Sequence, residues 1–378
     1  MKIALLAGEV SGDKYGALLA AKLKARRPRL DLFGMGGERM AAQGVRIIQG
    51  VPYGVMGLSG VLSRLPSFVA GFRRVLADIA RENPALVVLL DNPGFNLRVA
   101  ARIGTRFPCY YYIPPKVWAH GYGRIHVMKS VLKGVIAIFP FEKELYDREG
   151  IPCVWFGHPI GDIMEFTPER EPFWTGCGLD TRVPLVGVFP GSRREEIGYL
   201  MPLLLRAVEK IGGLTRVQAV FSAVDGAARR QQEWFMRRQG VSYPIWEGSP
   251  YGLMKYSAAV FAACGTANLE VALLKTPLLV FYRTSSLTYG IARHVVQLSH
   301  VSPANIPLGK DAAVPEYIQS FSLGDACDRA LELLEKGPLY RREMAAFMRL
   351  EEMLRRDSVT DRVAEFLLGR TGETDSTT

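Results

Sequence analysis

The sequence predicts an α/β chain built from two doubly wound, Rossmann-like domains, and three observations carry that prediction. Short apolar runs of strand length alternate with amphipathic stretches of helix length. The alternation stops across residues 157–184, a stretch punctuated by proline and glycine, and then restarts. In both halves strand-like runs end in glycine-containing turns that open helical patterns. Open parallel sheets bind ligands there, at the carboxyl ends of their strands.

Taken in order, strands are expected at 2–7, 30–33, 86–90, 108–113 and 135–139, with helices at 13–26, 95–106 and 141–149. Past the break, strands are expected at 185–189, 217–221, 259–263 and 277–282, with helices at 195–211, 226–239 and 267–274. Residues 322–368 read as two or more helices before a fraying tail, GETDSTT. The expected domains are therefore 1–165 and 166–340, facing a cleft. A C-terminal segment, 341–378, carries a helix that could return to the first domain.

The 378 residues are 48% hydrophobic and 22% charged, enough for packed cores and no case for disorder. No apolar run approaches the roughly 18 residues of a membrane-spanning helix. The opening MKIALLAGEV meets Glu9 too early for a signal peptide. Five scattered cysteines without a CxxC exclude a disulfide framework and a cysteine zinc cluster, and fit a reducing cytoplasm. Five histidines form no HExxH or HxH, so no metal site is expected. The net charge of +10 is uneven: residues 1–165 hold 22 basic and 13 acidic side chains, a net +9. A localised basic excess implies an anionic partner such as nucleic acid, a phosphorylated substrate or an anionic lipid surface; a merely solvated face is the bland alternative.

Four strand ends carry candidate chemistry. The first runs into Gly8-Glu9-Val10-Ser11-Gly12-Asp13, where glycines let backbone approach a ligand. Glu9 and Asp13 there suit sugar hydroxyls better than phosphate; the alternative is a plain turn. The strand 86–90 delivers Asp91, followed by Asn92-Pro93-Gly94-Phe95-Asn96. Partial desolvation makes a carboxylate there a better general base. Asn96 is the expected cap of the next helix, which leaves Asp91 for chemistry. In the second half, Gly191, Ser192 and Arg193 open a helix and offer close backbone, a hydroxyl and a forked cation to a diphosphate. A capping box from Ser192 to Glu195 is the structural alternative. After strand 259–263, Gly265 and Thr266 offer an amide and a hydroxyl. Glu270, one turn into the helix, can accept both hydroxyls of a ribose, or be a surface glutamate.

Two further stretches remain open on the residues alone. Tyr110-Tyr111-Tyr112 runs into a rigid turn through Trp118 that lines an acceptor pocket or belongs to core. Residues 55–79 place Leu58, Val61, Leu62, Leu65, Phe68, Val69, Phe72, Leu76 and Ile79 at helical spacing beside arginines, with Gly60 and Pro66 against one unbroken helix. That stripe is core, or an interfacial element dipping into a membrane.

The ordered blocks AGEVSGDKYGA, GGERM, VMGLSGVL, DNPGFNLRVA, YYIPPKVWAH, FPFEKELYDREGIPCVWFGHP, FPGSRREEI, CGTANLEVALLKTPLLVFYR and HVSPANIPLGKDAAVPE resemble the lipid-A-disaccharide synthases, inverting glycosyltransferases of GT-B type. The resemblance implies condensation of UDP-2,3-diacylglucosamine with 2,3-diacylglucosamine 1-phosphate, releasing UDP, in lipid A biosynthesis. It also implies a peripheral place on the cytoplasmic face of the inner membrane, with no cofactor and no nucleic acid partner. By resemblance the essential acid falls on Asp91, a diphosphate-side arginine on Arg193, an essential asparagine on Asn305 and the ribose-binding glutamate on Glu270. Gly191, Ser192, Gly265 and Thr266 join the UDP side; Glu9, Ser11, Gly12, Asn96 and Trp118 join the acceptor side. Met56, Leu58, Val61, Leu62 and Leu65 are expected at the anionic membrane surface. The turn PPKVWAH departs from the usual SPSVWAW, SPANIPLGK from SLPNLLAG, and Cys264 stands for a serine. The rival readings are another UDP-sugar enzyme of GT-B type, either a lipid-linked N-acetylglucosaminyltransferase or a UDP-N-acetylglucosamine 2-epimerase, and a non-catalytic basic binding protein.

Overall fold

The computed structural model describes residues 1–50, 65–119, 121–164, 174–286, 288–290 and 299–372. The chain divides into two units, Met1–Ile163 with Leu354–Thr378, and Met164–Met353. Each unit is built on one parallel sheet.

The first unit has seven strands: β1 (Lys2–Ala7), β2 (Asp31–Gly36), β3 (Arg46–Gly50), β4 (Leu86–Leu90), β5 (Cys109–Tyr112), β6 (Gly134–Ala137) and β7 (Cys153–Trp155). Their order is β3-β2-β1-β4-β5-β6-β7, all parallel. β4 is buried along its whole length and β1 beyond its first residue, as continuous apolar runs covered on both faces require. At Gly34 in β2, φ is +151° and a Cβ would fall 1.9 Å from the Leu5 carbonyl oxygen. Only glycine lets β2 lie against β1 there. After β3 the chain returns to the other side of β1 as β4. The carboxyl ends of β1 and β4 therefore form the topological switch point.

The helix Leu65–Glu82 changes the reading of the apolar stripe. Pro66 falls in its first turn, where the missing N–H has no helical partner to lose, so this proline starts the helix rather than interrupting it. Val75 and Ile79 are fully buried, and Phe72 packs edge-on against Phe95 at 5.8 Å. Val69 is exposed. From Phe72 onward the stripe is core. Met56, Leu58, Val61 and Leu62 lie outside the described residues, and Leu65 opens the helix.

Asp13 also takes a structural place. Its carboxylate accepts from the backbone N–H groups of Gly37 (2.7 Å), Met40 (3.1 Å) and Arg39 (3.3 Å). It caps the helix Glu38–Ala42 from the neighbouring helix Val10–Arg26, and is not available to sugar hydroxyls. The final helix, Val359–Arg370, belongs to the first unit. Arg26 forks onto Asp361 (2.9 and 2.8 Å) and reaches Glu365 (3.2 Å), while the Thr360 N–H donates to Asp162 at 2.6 Å. The helix Pro338–Leu354 precedes the re-entry, so the division falls at Leu354 where the sequence reading put it at 341.

The second unit has six strands: β8 (Leu185–Phe189), β9 (Gln218–Ser222), β10 (Ile245–Trp246), β11 (Ala259–Ala263), β12 (Leu278–Tyr282) and β13 (Glu316–Ile318). Their order is β10-β9-β8-β11-β12-β13, again all parallel, with a switch point between β8 and β11. Leu204, Leu205 and Val208 of the helix Arg194–Leu214 and Ala330 and Leu333 of Leu323–Leu334 share one core with Val186, Val188, Phe261 and Phe281. Among the described residues, no helix is long and apolar enough to cross a membrane.

Replacing Asp13 by alanine leaves three helix-start N–H groups without their acceptor. We expect Asp13→Ala to lose about 2–3 kcal/mol of stability in urea unfolding, with Asp13→Asn losing clearly less. A loss below about 0.5 kcal/mol for the alanine variant would contradict the capping role.

Candidate active site

The first unit's switch point gathers Glu9, Ser11, Gly12, Asp91 and Asn96. Asp91 (φ 52°) and Asn92 (φ 42°) are two successive residues in the left-handed region at the end of β4. Short amide and acid side chains tolerate that region best, yet it still carries strain. Ile113, at the end of the adjacent β5, also has a positive φ of 60°, which a β-branched residue rarely adopts. The strain is held by side chains behind it. Asn96 is fully buried, and its amide donates to the carbonyls of Asp91 (2.7 Å), Leu90 (3.1 Å) and Leu6 (3.1 Å). The Tyr111 hydroxyl donates to the same Asp91 carbonyl at 2.6 Å. Burial, then the Asp91 charge, pushes the Tyr111 pKa far above the usual phenol value, so the hydroxyl stays a donor.

These bonds orient the Asp91 carboxylate. Its Oδ2 accepts from the Ser11 hydroxyl at 2.7 Å and its Oδ1 from the Asn92 N–H at 2.9 Å. Each oxygen keeps a further lone pair for an incoming hydroxyl. Gly8 is required here, because a Cβ would fall 2.1 Å from Asn92 Nδ2. Gly12 sits close over the strands, with a Cβ position 3.4 Å from the Leu90 carbonyl oxygen. Glu9 stands at the N-cap of Val10–Arg26, where its carbonyl accepts from the Asp13 N–H. The helix cap expected of Asn96 belongs instead to Asn92, whose Oδ1 accepts from the Phe95 N–H. Asn96 lies one turn further in and faces the strands, so its amide goes to their carbonyls.

Trp118 lies on the turn after β5. Its indole N–H donates to Glu142 at 3.0 Å, and its ring meets Phe141 edge-on at 5.2 Å. Glu142 is buried, accepts also from the Ile138 and Phe139 N–H groups, and has its pKa raised by that burial. Tyr110, Tyr111 and Tyr112 are core. His158, beyond β7, is also buried. Its Nδ1 accepts from the Ile160 N–H at 3.1 Å, and its ring packs on Phe139 at 5.4 Å and Tyr15 at 6.3 Å. Burial, then the charges of Lys116 and Lys14, pushes its pKa down to about 3.

In the second unit, Gly191, Ser192 and Arg193 stand at the end of β8, and Gly265, Thr266 and Glu270 follow β11. Gly191 has φ +111°, and a Cβ would meet Glu196 Oε2 at 2.7 Å. The expected Ser192–Glu195 capping box is not the one formed. Arg193 is the N-cap, and Glu196 reaches back to the N–H groups of Ser192 and Arg193 (both 3.3 Å) and to the Arg193 guanidinium (3.3 Å). Glu195 is one residue too early to fold over that turn. Ser192 and Thr266 are exposed, while Glu270 is buried and accepts from the Tyr251 hydroxyl at 3.2 Å.

Asn305 is also fully buried, and its amide is used inside the fold. It donates to the Val314 carbonyl (2.9 Å) and Glu316 (2.7 Å), and its oxygen accepts from the Val314 N–H. Glu316 in turn accepts from the Val301 and Ser302 N–H groups. The Ser302 hydroxyl reaches Asn268, which donates to the Ala263 carbonyl and accepts from the Gly265 N–H at 2.9 Å each. Asn305 thus orders the loop beside Gly265 rather than presenting an amide to solvent. Sequence reasoning missed Asn268, Glu196 and Glu316; a polar residue on the otherwise apolar TANLEVAL helix was the available signal for Asn268. Among the described residues, no group of three or more His, Cys, Asp or Glu is placed to hold a metal ion.

Two parallel-sheet Rossmann-like units define an α/β protein of GT-B type. Solved structures agree on the fold: a UDP-N-acetylglucosamine 2-epimerase from Neisseria meningitidis bound to UDP-N-acetylglucosamine aligns with TM-score 0.63 at 12% identity, covering 98% of this chain and 100% of that one. The sequence goes further. A family model for lipid-A-disaccharide synthetase matches residues 3–360. The lipid-A-disaccharide synthase of Solibacter usitatus is 35% identical over 374 residues, 98% of this chain and 94% of that protein. That of Azotobacter vinelandii is 34% identical over 377 residues, 97% of each. The chain belongs to the lipid-A-disaccharide synthetase family, and is a glycosyltransferase of lipid A biosynthesis.

The neutral, buried His158 has a measurable consequence. Unfolded, a histidine titrates near 6.5, whereas the folded one stays neutral down to about pH 3. Its contribution is complete above pH 6.5 and is lost as pH falls toward 3, at about 1.4 kcal/mol per pH unit. From pH 7 to pH 5, the gap in urea-unfolding free energy between wild type and His158→Gln should narrow by about 2 kcal/mol. Parallel pH profiles for the two proteins would contradict a buried neutral imidazole.

Proposed function

We propose that this chain joins UDP-2,3-diacylglucosamine to the 6-hydroxyl of 2,3-diacylglucosamine 1-phosphate, releasing UDP and inverting the anomeric centre. The observation that carries the reading is the Asp91 carboxylate: one donor on each oxygen, on a strained strand end at a switch point. That arrangement suits general-base catalysis, with the acceptor hydroxyl as the third partner. Asp91 takes the hydroxyl proton as the oxygen attacks the donor's anomeric carbon. The new carbon–oxygen bond forms while the bond to the diphosphate breaks, and UDP leaves with the electron pair. Ser11 fixes the carboxylate rotamer.

On the donor side, Arg193, the Ser192 hydroxyl and the first amides of Arg194–Leu214 stabilise the leaving diphosphate. Gly265 and Thr266 contribute an amide and a hydroxyl, and Glu270 holds the ribose. Asn305 serves by ordering the adjoining loop through Glu316. The net +9 of residues 1–165 supports work at an anionic membrane surface on the cytoplasmic side, where lipid substrates reside. A non-catalytic binding protein would leave the strain around Asp91 without a use.

The test is UDP release with both lipid sugars present and with each omitted in turn. Release should require both. Asp91→Asn keeps the shape and cannot accept the proton, so turnover should fall about 10²–10⁴-fold with UDP affinity near wild type. Glu270→Gln should show the converse pattern, weakening UDP by about 1–3 kcal/mol in calorimetry. An Asp91→Asn protein retaining more than about a tenth of turnover falls outside the range for a lost base and removes that assignment.

A further inference from the structure

The turn that follows β5 leads into Gly121-Tyr122-Gly123-Arg124 and the helix Arg124–Val131. That helix starts at the carboxyl end of the first sheet, on the side where Asp91 leaves β4. Gly121 has φ +71°, and a Cβ there would fall 3.1 Å from the Arg124 guanidinium carbon and 3.2 Å from Nη1. The guanidinium folds back over this glycine. Its Nη1 is buried and has no hydrogen-bond partner among the described residues.

A buried cationic N–H without an acceptor is costly, and a bound anion is one partner that would complete it. What Arg124 shares is Tyr111. The hydroxyl that donates to the Asp91 carbonyl feels both the Asp91 carboxylate and the Arg124 guanidinium. Base and guanidinium therefore lie within electrostatic reach of one buried hydroxyl. A ligand that carries both a hydroxyl for Asp91 and an anion for Arg124 would use both groups. In the proposed acceptor, the 6-hydroxyl (on the arm at C5) and the phosphate (on C1) flank the ring oxygen of one pyranose.

We propose that Arg124 reads the anomeric phosphate of the acceptor, donating from its guanidinium fork to the phosphate oxygens while Asp91 takes the 6-hydroxyl. The inference rests on the acceptor assignment made above. Guanidinium is the group suited to the task, because its planar fork matches phosphate and stays charged at any working pH. The residue sets specificity and binding; it moves no proton.

The experiment compares two acceptors, 2,3-diacylglucosamine with and without its 1-phosphate, at saturating donor. Wild type should prefer the phosphorylated acceptor. In Arg124→Gln, kcat/KM should fall about 10- to 100-fold on that acceptor and less than about twofold on the other, so that the preference collapses. The donor KM should not move. Arg124→Lys, which keeps the charge without the fork, should fall between and serves if thermal melting shows the glutamine variant unfolded. Equal losses on both acceptors would overturn the proposal, since Arg124 would then act through Tyr111 and Asp91. An undiminished preference for phosphate in the variant, or none in the wild type, would overturn it as well. If wild type releases no UDP with either acceptor, the functional reading fails. Equilibrium binding of the two lipids in detergent micelles then decides Arg124 alone: loss of phosphate preference in the variant supports it, and an unchanged preference overturns it.

Discussion

The Asp91 carbonyl oxygen takes two donors, the Asn96 amide and the Tyr111 hydroxyl, and the geometry of the first unit's candidate site depends on that meeting. Two consecutive left-handed residues at the end of a strand cost on the order of 1–3 kcal/mol each when they are not glycine, somewhat less for Asp and Asn. Buried hydrogen bonds of about 1 kcal/mol apiece are the size of interaction that can hold such a turn. Asn96 shares its two amide hydrogens among three carbonyls, so one hydrogen is bifurcated, and the ends of β1 and β4 are tied by one side chain. From that fixed backbone the Asp91 side chain meets Ser11 across the turn. The placement of this carboxylate is thus set from behind the acid.

The second unit uses the same device with different neighbours. Asn268, in the first turn after β11, ties the Ala263 carbonyl and the Gly265 N–H, as Asn96 ties the ends of β1 and β4. Ser302 extends the bond network from Asn268 toward the loop that Asn305 and Glu316 hold. In both sheets the strand beyond the switch point ends under a buried asparagine. A carboxamide suits that position because its N–H groups reach carbonyls without carrying a charge into the core, and in Asn268 its oxygen also takes the Gly265 N–H. Substituting aspartate would set a buried carboxylate against carbonyl oxygens.

How much of this could be read from sequence follows from burial. The central strands β1, β4, β8 and β11 announce themselves as apolar runs because both of their faces are covered. The four strands the reading lacked are β3, β7, β10 and β13, and all four are sheet edges. An edge strand has one neighbour and partial cover, and RIIQG, CVW, IW and EYI are too short and too mixed to carry a period. Asp91, Arg193 and Glu270 were legible as polar residues leaving such runs. Which asparagine caps and which clamps was not, since Asn92 and Asn96 offer the same chemistry four residues apart. Only the position of the helix relative to β1 and β4 separates them. Tyr111 was hidden among three tyrosines, of which one hydroxyl bonds to the acid's own backbone. Pro66 shows the same dependence on position: proline forbids a helix interior and permits its first turn, where it stands in Leu65–Glu82.

As the proposed base, Asp91 owes the placement of its carboxylate to the donors behind it. Turnover of Tyr111→Phe tests that most directly, because the change removes one hydroxyl and leaves the ring. With the Asn96 amide still in place, the loss should be that of one hydrogen bond: kcat lower by several-fold to about tenfold, with donor KM and UDP affinity unmoved. A wild-type kcat accompanied by a lowered melting temperature would contradict the account, making the hydroxyl a brace of the fold with no hold on the acid.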